Sequence, residues 1–164
     1  MTPDDLVEFE LIKQLKYAYA RCIDTKDWEE LATLFTEDAV ASYSNGKYHH
    51  EGRDNIVTWL ADAMGRESFL SAHRMSHPEI ELAGPTTATA TWALVDTVID
   101  MQWDITIRGA AFYTDVYEKV DGRWKIARTA YKRSFEELQP RANVPGLTLT
   151  ASWWGTDGRS TIDA

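Results

Sequence analysis

Asp24 and His73 are the residues of this chain whose types, taken together, could move a proton. A neutral imidazole held by a carboxylate is a general base that works near neutral pH. Two phenols, Tyr19 and Tyr43, could stabilise an oxyanion or protonate a leaving oxygen beside it. These four are the candidate catalytic residues. Trp92 and Tyr113, on the middle strand-like segments, and Arg128 and Arg133, near the end of the last one, are the candidate substrate contacts.

A metal is not expected. His73 and His77 have the spacing of helical zinc ligands, but on a strand four residues span about 13 Å, too far for one ion. His49 and His50 are adjacent and point to opposite sides of an extended chain. There is no Gly-x-Ser-x-Gly elbow, phosphate loop or Gly-x-Gly-x-x-Gly fingerprint, so no nucleotide or other cofactor is expected either.

The elements that must position these groups fall into two textures. Leu6, Phe9, Ile12, Leu15, Tyr19 and Cys22 recur at steps of three or four, which predicts an amphipathic helix over 6–24. Thr2 or Asp4 is placed to cap it, with Pro3 in a favoured early position. Tyr19 lies on the apolar stripe, so its hydroxyl faces inward and needs a partner. Asp24 ends the helix, where the dipole disfavours a carboxylate unless a donor such as a histidine N–H compensates. Asp24 could equally serve only to begin the turn into the second helix. Further helices are predicted over 27–35 and after Gly52, with a short extended piece over 40–48 turning at Asn45-Gly46.

After Gly65 the chain reads as strands over 69–82, 86–101, 105–119 and 123–135, rich in Thr, Val, Ile and aromatics. Alternation along the last segment puts Arg128 with Trp124 and Ile126, and Arg133 with Thr129 and Tyr131 on the other face. Asp96, Asp100 and Asp115 also sit within strands, their direction open. Helices first and a strand meander after them indicate an α+β domain spanning 1–164, three helices covering a curved, mostly antiparallel sheet. The tail beyond Leu138 stands apart; its adjacent Trp153 and Trp154 must cover the cavity mouth or a neighbouring subunit.

At 164 residues the chain can bury a core and a small cavity, and its net charge of −9 argues against nucleic acid and anionic membranes. The absence of a long apolar run, together with a lone Cys22 that cannot form an internal disulfide, fits a cytoplasmic protein.

Several segments together carry a resemblance: Tyr19-Ala-Arg-Cys-Ile-Asp24-Thr-Lys-Asp27-Trp28, Leu34-Phe35-Thr-Glu-Asp38-Ala39 and Gly52-Arg53-Asp54-Asn-Ile56. His73 then precedes Glu79-Ile-Glu-Leu82, and Gly122-Arg-Trp124-Lys-Ile126-Ala-Arg128 follows. In this order they resemble the SnoaL-like branch of the nuclear transport factor 2-like superfamily, which includes scytalone dehydratase and related lyases. The resemblance covers about 6–135. It implies a cone-shaped sheet enclosing an apolar pocket, with Asp24 and His73 matching the Asp–His dyad of the lyase members. It also places Tyr19 and Tyr43 where substrate-contacting polar side chains occur. Scytalone dehydratase has a second histidine deeper in its sheet; 91–101 has none here, so a broader lyase is implied.

The expected reaction is cofactor-independent. His73 takes a proton from a carbon beside an electron-withdrawing group of an aromatic or polycyclic substrate, and water or another small group leaves. The same groups can cleave a carbon–carbon bond in retro-aldol fashion, isomerise or cyclise. The competing class is a domain that only binds a ligand or partner. A homo-oligomer, dimer or trimer, is expected because the aromatic, Thr-rich strands suggest that both sheet faces are covered.

Overall fold

Thr2 starts the first helix, accepting the Asp5 backbone N–H while the Asp5 carboxylate accepts that of Thr2. This reciprocal capping, with Pro3 in the first turn, fixes where α1 (Pro3–Thr25) begins. Its stripe is buried from Ile12 to Ile23, but Leu6 is 55% exposed because the first turns overhang the sheet. Lys26 closes α1 in the left-handed conformation (φ 58°). Asp27 caps α2 (Trp28–Thr33) through the Glu30 N–H.

The computed structural model describes residues 1–162. The chain continues as β1 (Phe35–Tyr43), β2 (Tyr48–Glu51), α3 (Arg53–Met64), β3 (Phe69–Leu82), β4 (Thr87–Asp100), β5 (Ile105–Val120) and β6 (Arg123–Pro140). One six-stranded sheet has the order β2-β1-β6-β5-β4-β3. Four of its five strand pairs are antiparallel and β1–β6 is parallel, as expected of a mostly antiparallel α+β sheet. The helices close over one face, and the core between them is built from Ile12, Tyr19, Leu31, Phe35, Trp92 and Ile126 among others.

The differences from the sequence reading are local. The second helix stops at Thr33, and Phe35 already belongs to β1, fully buried against the core. Here burial in the sheet outweighs the helical spacing of Leu31, Leu34 and Phe35. The last strand runs on to Pro140, which pairs with Ile105.

More consequential are two bulges in β6. Ile126 pairs with Tyr117 and Arg128 with Val116, leaving Ala127 as an extra residue; Ser134 is extra in the same way. A bulge reverses the alternation that follows it. Trp124 and Ile126 face the core, and after the first bulge so do Thr129, Tyr131 and Arg133. Arg128 therefore does not share a face with Trp124 and Ile126, contrary to simple alternation.

Candidate active site

Asp24 sits in the last turn of α1, where the helix dipole opposes a negative charge. Three donors offset this. The Ser71 hydroxyl donates to Oδ1 (2.8 Å), the His73 backbone N–H donates to Oδ2 (2.8 Å), and His73 Nδ1 lies 2.7 Å from Oδ1. Ser71 and His73 are two residues apart on β3, hence on one face. Phe69, two residues earlier, is tied to the same helix end, since its carbonyl accepts from Lys26 Nζ at 2.7 Å. Asp24 in the last turn of α1 and the Lys26 ammonium at its C-cap thus both bind the start of β3.

Burial by itself would raise the Asp24 pKa. The imidazole and backbone N–H of His73 and the Ser71 hydroxyl outweigh it and hold the carboxyl below its ordinary value of 3.8. An acceptor-only carboxylate at Nδ1 fixes the imidazole tautomer with its proton on that nitrogen, leaving Nε2 as the lone-pair nitrogen of the neutral ring. The depressed value also has a consequence for stability. Because the folded-state pKa is below the unfolded one, the α1–β3 joint contributes fully above pH 3.8. That contribution disappears as pH falls through the folded value. Comparing urea unfolding of the parent and Asp24→Asn proteins should show the difference shrinking below pH 3.8. A difference that does not change with pH would mean that the carboxylate is not held by these donors.

His73 lines a cavity of about 340 Å³. Tyr19 and Ile23 reach it from α1, Trp59, Leu60, Ala63 and Met64 from α3, and Tyr43, Tyr113 and Tyr131 from the sheet. Its aromatic wall is continuous. The Tyr43 ring stacks on Trp59 (5.4 Å between centroids), Tyr131 tilts against Tyr43 and Tyr113, and Tyr19 meets Tyr113 edge-on. The hydroxyls of Tyr19 and Tyr43 are 3.0 Å apart. Burial pushes both phenols above their ordinary value, so they remain protonated donors at physiological pH and are not bases.

Opposite the dyad stands a charged pair. Asp96 is the cross-strand partner of His73 and holds Arg133 by two bonds, Nη1–Oδ1 at 2.5 Å and Nη2–Oδ2 at 2.8 Å. Gly109 makes room for it. A Cβ there would lie 2.8 Å from the Phe135 carbonyl oxygen and 2.9 Å from Arg133 Nη1. Lys47 and Glu136 complete the exposed rim.

The sequence candidates thus divide. Asp24, His73, Tyr19, Tyr43, Tyr113 and Arg133 come together at or beside one cavity. Trp92 does not. It is wholly buried, donates its indole N–H to the Tyr117 hydroxyl (3.0 Å) and meets the Tyr17 ring edge-on, so it is a core residue. Arg128 does not either, because the Ala127 bulge turns it to the outer, exposed face. Cys22 is core, with burial pushing its thiol up to about 11. Trp154 stacks over the Lys26 ammonium (3.9 Å), and Trp153 stays 62% exposed.

Sequence reasoning missed Ser71, Trp59 and Tyr131, and left the direction of Asp96 open. Asp96 shares parity with Trp92 and Leu94 on β4, a signal that it faces inward. Among the described residues, no group of three or more His, Cys, Asp or Glu side chains could hold a metal ion. No described helix is long and apolar enough to cross a membrane.

An α+β sheet closed by N-terminal helices over an aromatic cavity with an Asp–His pair in its wall defines a class of small-molecule-binding folds. The SnoaL-like domain model matches residues 5–130, and the chain belongs to that family, within the nuclear transport factor 2-like superfamily. The chain is similar to a putative scytalone dehydratase from Novosphingobium aromaticivorans, with 27% identity, a TM-score of 0.78, and 84% of this chain and 91% of that one covered. It also shares its fold with the hexachlorocyclohexane dehydrochlorinase LinA-type3 from Novosphingobium barchaimii, at 17% identity and a TM-score of 0.76, covering 89% and 96%.

Proposed function

We propose that this protein is a cofactor-independent lyase that removes a proton from carbon and expels water or another small group from a ring-bearing substrate. The observation that carries the reading is the His73 imidazole, oriented by Asp24 through Nδ1 and lining an aromatic cavity. His73 Nε2 takes the proton, and the ionised Asp24 stabilises the imidazolium that forms. The protonated phenols of Tyr19 and Tyr43 meet the developing oxyanion, directly or through water. The imidazolium then returns its proton to the departing oxygen, so that water leaves and a double bond remains. Retro-aldol cleavage and isomerisation use the same proton path. The family match and the likeness to a putative scytalone dehydratase support a lyase over a domain that only binds.

Stacked rings along Tyr43 and Trp59 suit a flat substrate, and 340 Å³ suits one or two rings. Arg133 gives Asp96 its two terminal nitrogens, and its Nε lies 3.2 Å from Glu136 Oε2 at the rim.

The test is deuterium exchange at the acidic carbon of ring-bearing ketones and hydroxy-ketones, followed by ultraviolet absorbance for new conjugation, after exhaustive chelation and dialysis. Exchange and elimination that persist without metal, and are lost with His73→Ala, support the reading. Activity restored by one added metal overturns it. Tyr19→Phe and Tyr43→Phe should each lower turnover while leaving the fold intact, because the ring packing is kept. Unchanged kinetics with a stability loss of about 0.5–1.5 kcal/mol would assign both hydroxyls to the core.

The expected homo-oligomer is part of this proposal. Val95 on β4 and Phe135 on β6 both pair with Ala110 of β5, Phe112 stands two residues further along β5, and all three aromatic or aliphatic side chains are more than half exposed. A second copy of the chain covers that row. Light scattering should give a dimer or trimer mass that falls with Phe112→Glu; a monomeric parent protein sinks the idea.

A further inference from the structure

Beneath the cavity lies a charged pair that the proposed proton transfer does not use. Lys16, on the buried stripe of α1, is 0% exposed, and its ammonium lies 2.7 Å from Asp115 Oδ2 on β5. The carboxylate is pinned from other sides as well. The Tyr117 hydroxyl donates to Oδ2 (2.6 Å), the Thr129 hydroxyl donates to Oδ1 (2.8 Å), and Trp92 holds Tyr117 in turn. The ammonium is held differently. Besides Asp115, it rests on ring faces: Tyr113 at 3.7 Å from the centroid and Tyr19 at 4.6 Å.

Such a pair is a poor device for stability. Taking each ion out of water costs several kcal/mol, and apolar replacements of similar volume are often as stable or more so. What the pair does have is a direction. Its negative end is surrounded by hydroxyl donors on the core side, and its positive end rests on the two tyrosines that line the cavity.

We propose that Lys16 is a polarising residue for the cavity phenols. Acting through the faces of Tyr113 and Tyr19, it stabilises negative charge that builds on their oxygens or on a substrate oxyanion they hold. A phenol donating strongly to an oxyanion becomes electron-rich, and a cation over its face is then attracted more strongly. The gain is therefore larger in the transition state than in the resting complex, which is the condition for accelerating a step. In a dry site a fixed charge acts with little screening and no reorganisation. Lys16 touches no substrate, so its part is to tune and position the phenols. The inference rests on the oxyanion role given to Tyr19 above and extends it to Tyr113, its edge-on neighbour in the same cavity wall.

The experiment needs no turnover. Tyr113 is replaced by 3,5-difluorotyrosine, whose ionisation is followed by phenolate absorbance, in the parent background, in Asp115→Asn and in the Lys16→Met/Asp115→Asn double variant. The double variant removes both charges but keeps a side-chain amide for the Thr129 and Tyr117 hydroxyls. Between Asp115→Asn and the double variant, which differ in the lysine alone, the fluorophenol pKa should rise by about one unit or more. An unchanged value between these two variants, both folded, overturns the proposal and leaves the pair a packing feature.

Should the double variant not fold, the parent background supplies the second measurement. Ionising the fluorophenol should move the Lys16 Cε carbon resonance, whereas a resonance that stays put also overturns the proposal. The two proposals fail separately. A fluorophenol shift with no exchange activity on any carbon acid removes the lyase reading alone, and activity with no shift removes this inference alone.

Discussion

His73→Ala lowers proton exchange at a bound carbon acid, and turnover of any substrate found, by about 10²–10⁴-fold, the usual cost of losing a general base. The fold should survive. The His73 backbone N–H still donates to Asp24 Oδ2, the Ser71 hydroxyl still donates to Oδ1, and the Lys26–Phe69 bond still joins α1 to β3. The loss should appear in the rate of the chemical step at saturating ligand, with binding to the aromatic wall little changed. Single-turnover measurements with the parent and variant proteins, alongside circular dichroism, provide the check. If the folded variant retains the parent rate, the base lies elsewhere in the cavity.

The second large effect is on stability. Lys16→Met by itself should cost about 3–5 kcal/mol, because it strands the buried Asp115 carboxylate with hydroxyl partners only. The Lys16→Met/Asp115→Asn double variant should recover most of that loss, since no uncompensated charge remains. Urea unfolding curves with unchanged slope and shifted midpoints measure both. Equal losses in the single and double variants would mean that Lys16 matters for its packed methylenes and not for its charge.

Much of the fold was legible locally. Steps of three or four placed α1 because only a helix brings Ile12, Leu15, Tyr19 and Cys22 to one face. Strand composition placed β3 to β5 to within a residue at each end, while β6 runs five residues past its expected end; the first helix starts at Pro3 and not Leu6, with Thr2 and not Asp4 as its cap. Asp24 and His73 stood out because few other residues here could form a proton-moving pair.

Whether they touch is another matter. They are joined by the placement of α1 against β3, a contact across 49 residues that periodicity does not encode. The face on which an arginine lies was likewise beyond the sequence. Alternation has a period of two only while the ladder is regular, and one extra residue at Ala127 sent Arg128 outward and Arg133 toward Asp96. Lys16 marks the same division. The apolar spacing passes over it, yet the structure buries Lys16 on the same face of α1 as Leu15 and Tyr19. Its partner Asp115 comes from a strand about a hundred residues away, and only packing α1 onto the sheet decides that a lysine there can be buried. The sequence by itself determined the elements, the reaction-capable residue types and the absence of known cofactor motifs, because these depend on local spacing. The tertiary structure alone decided which polar groups meet, because burial, bulges and long-range pairing are properties of the packed chain.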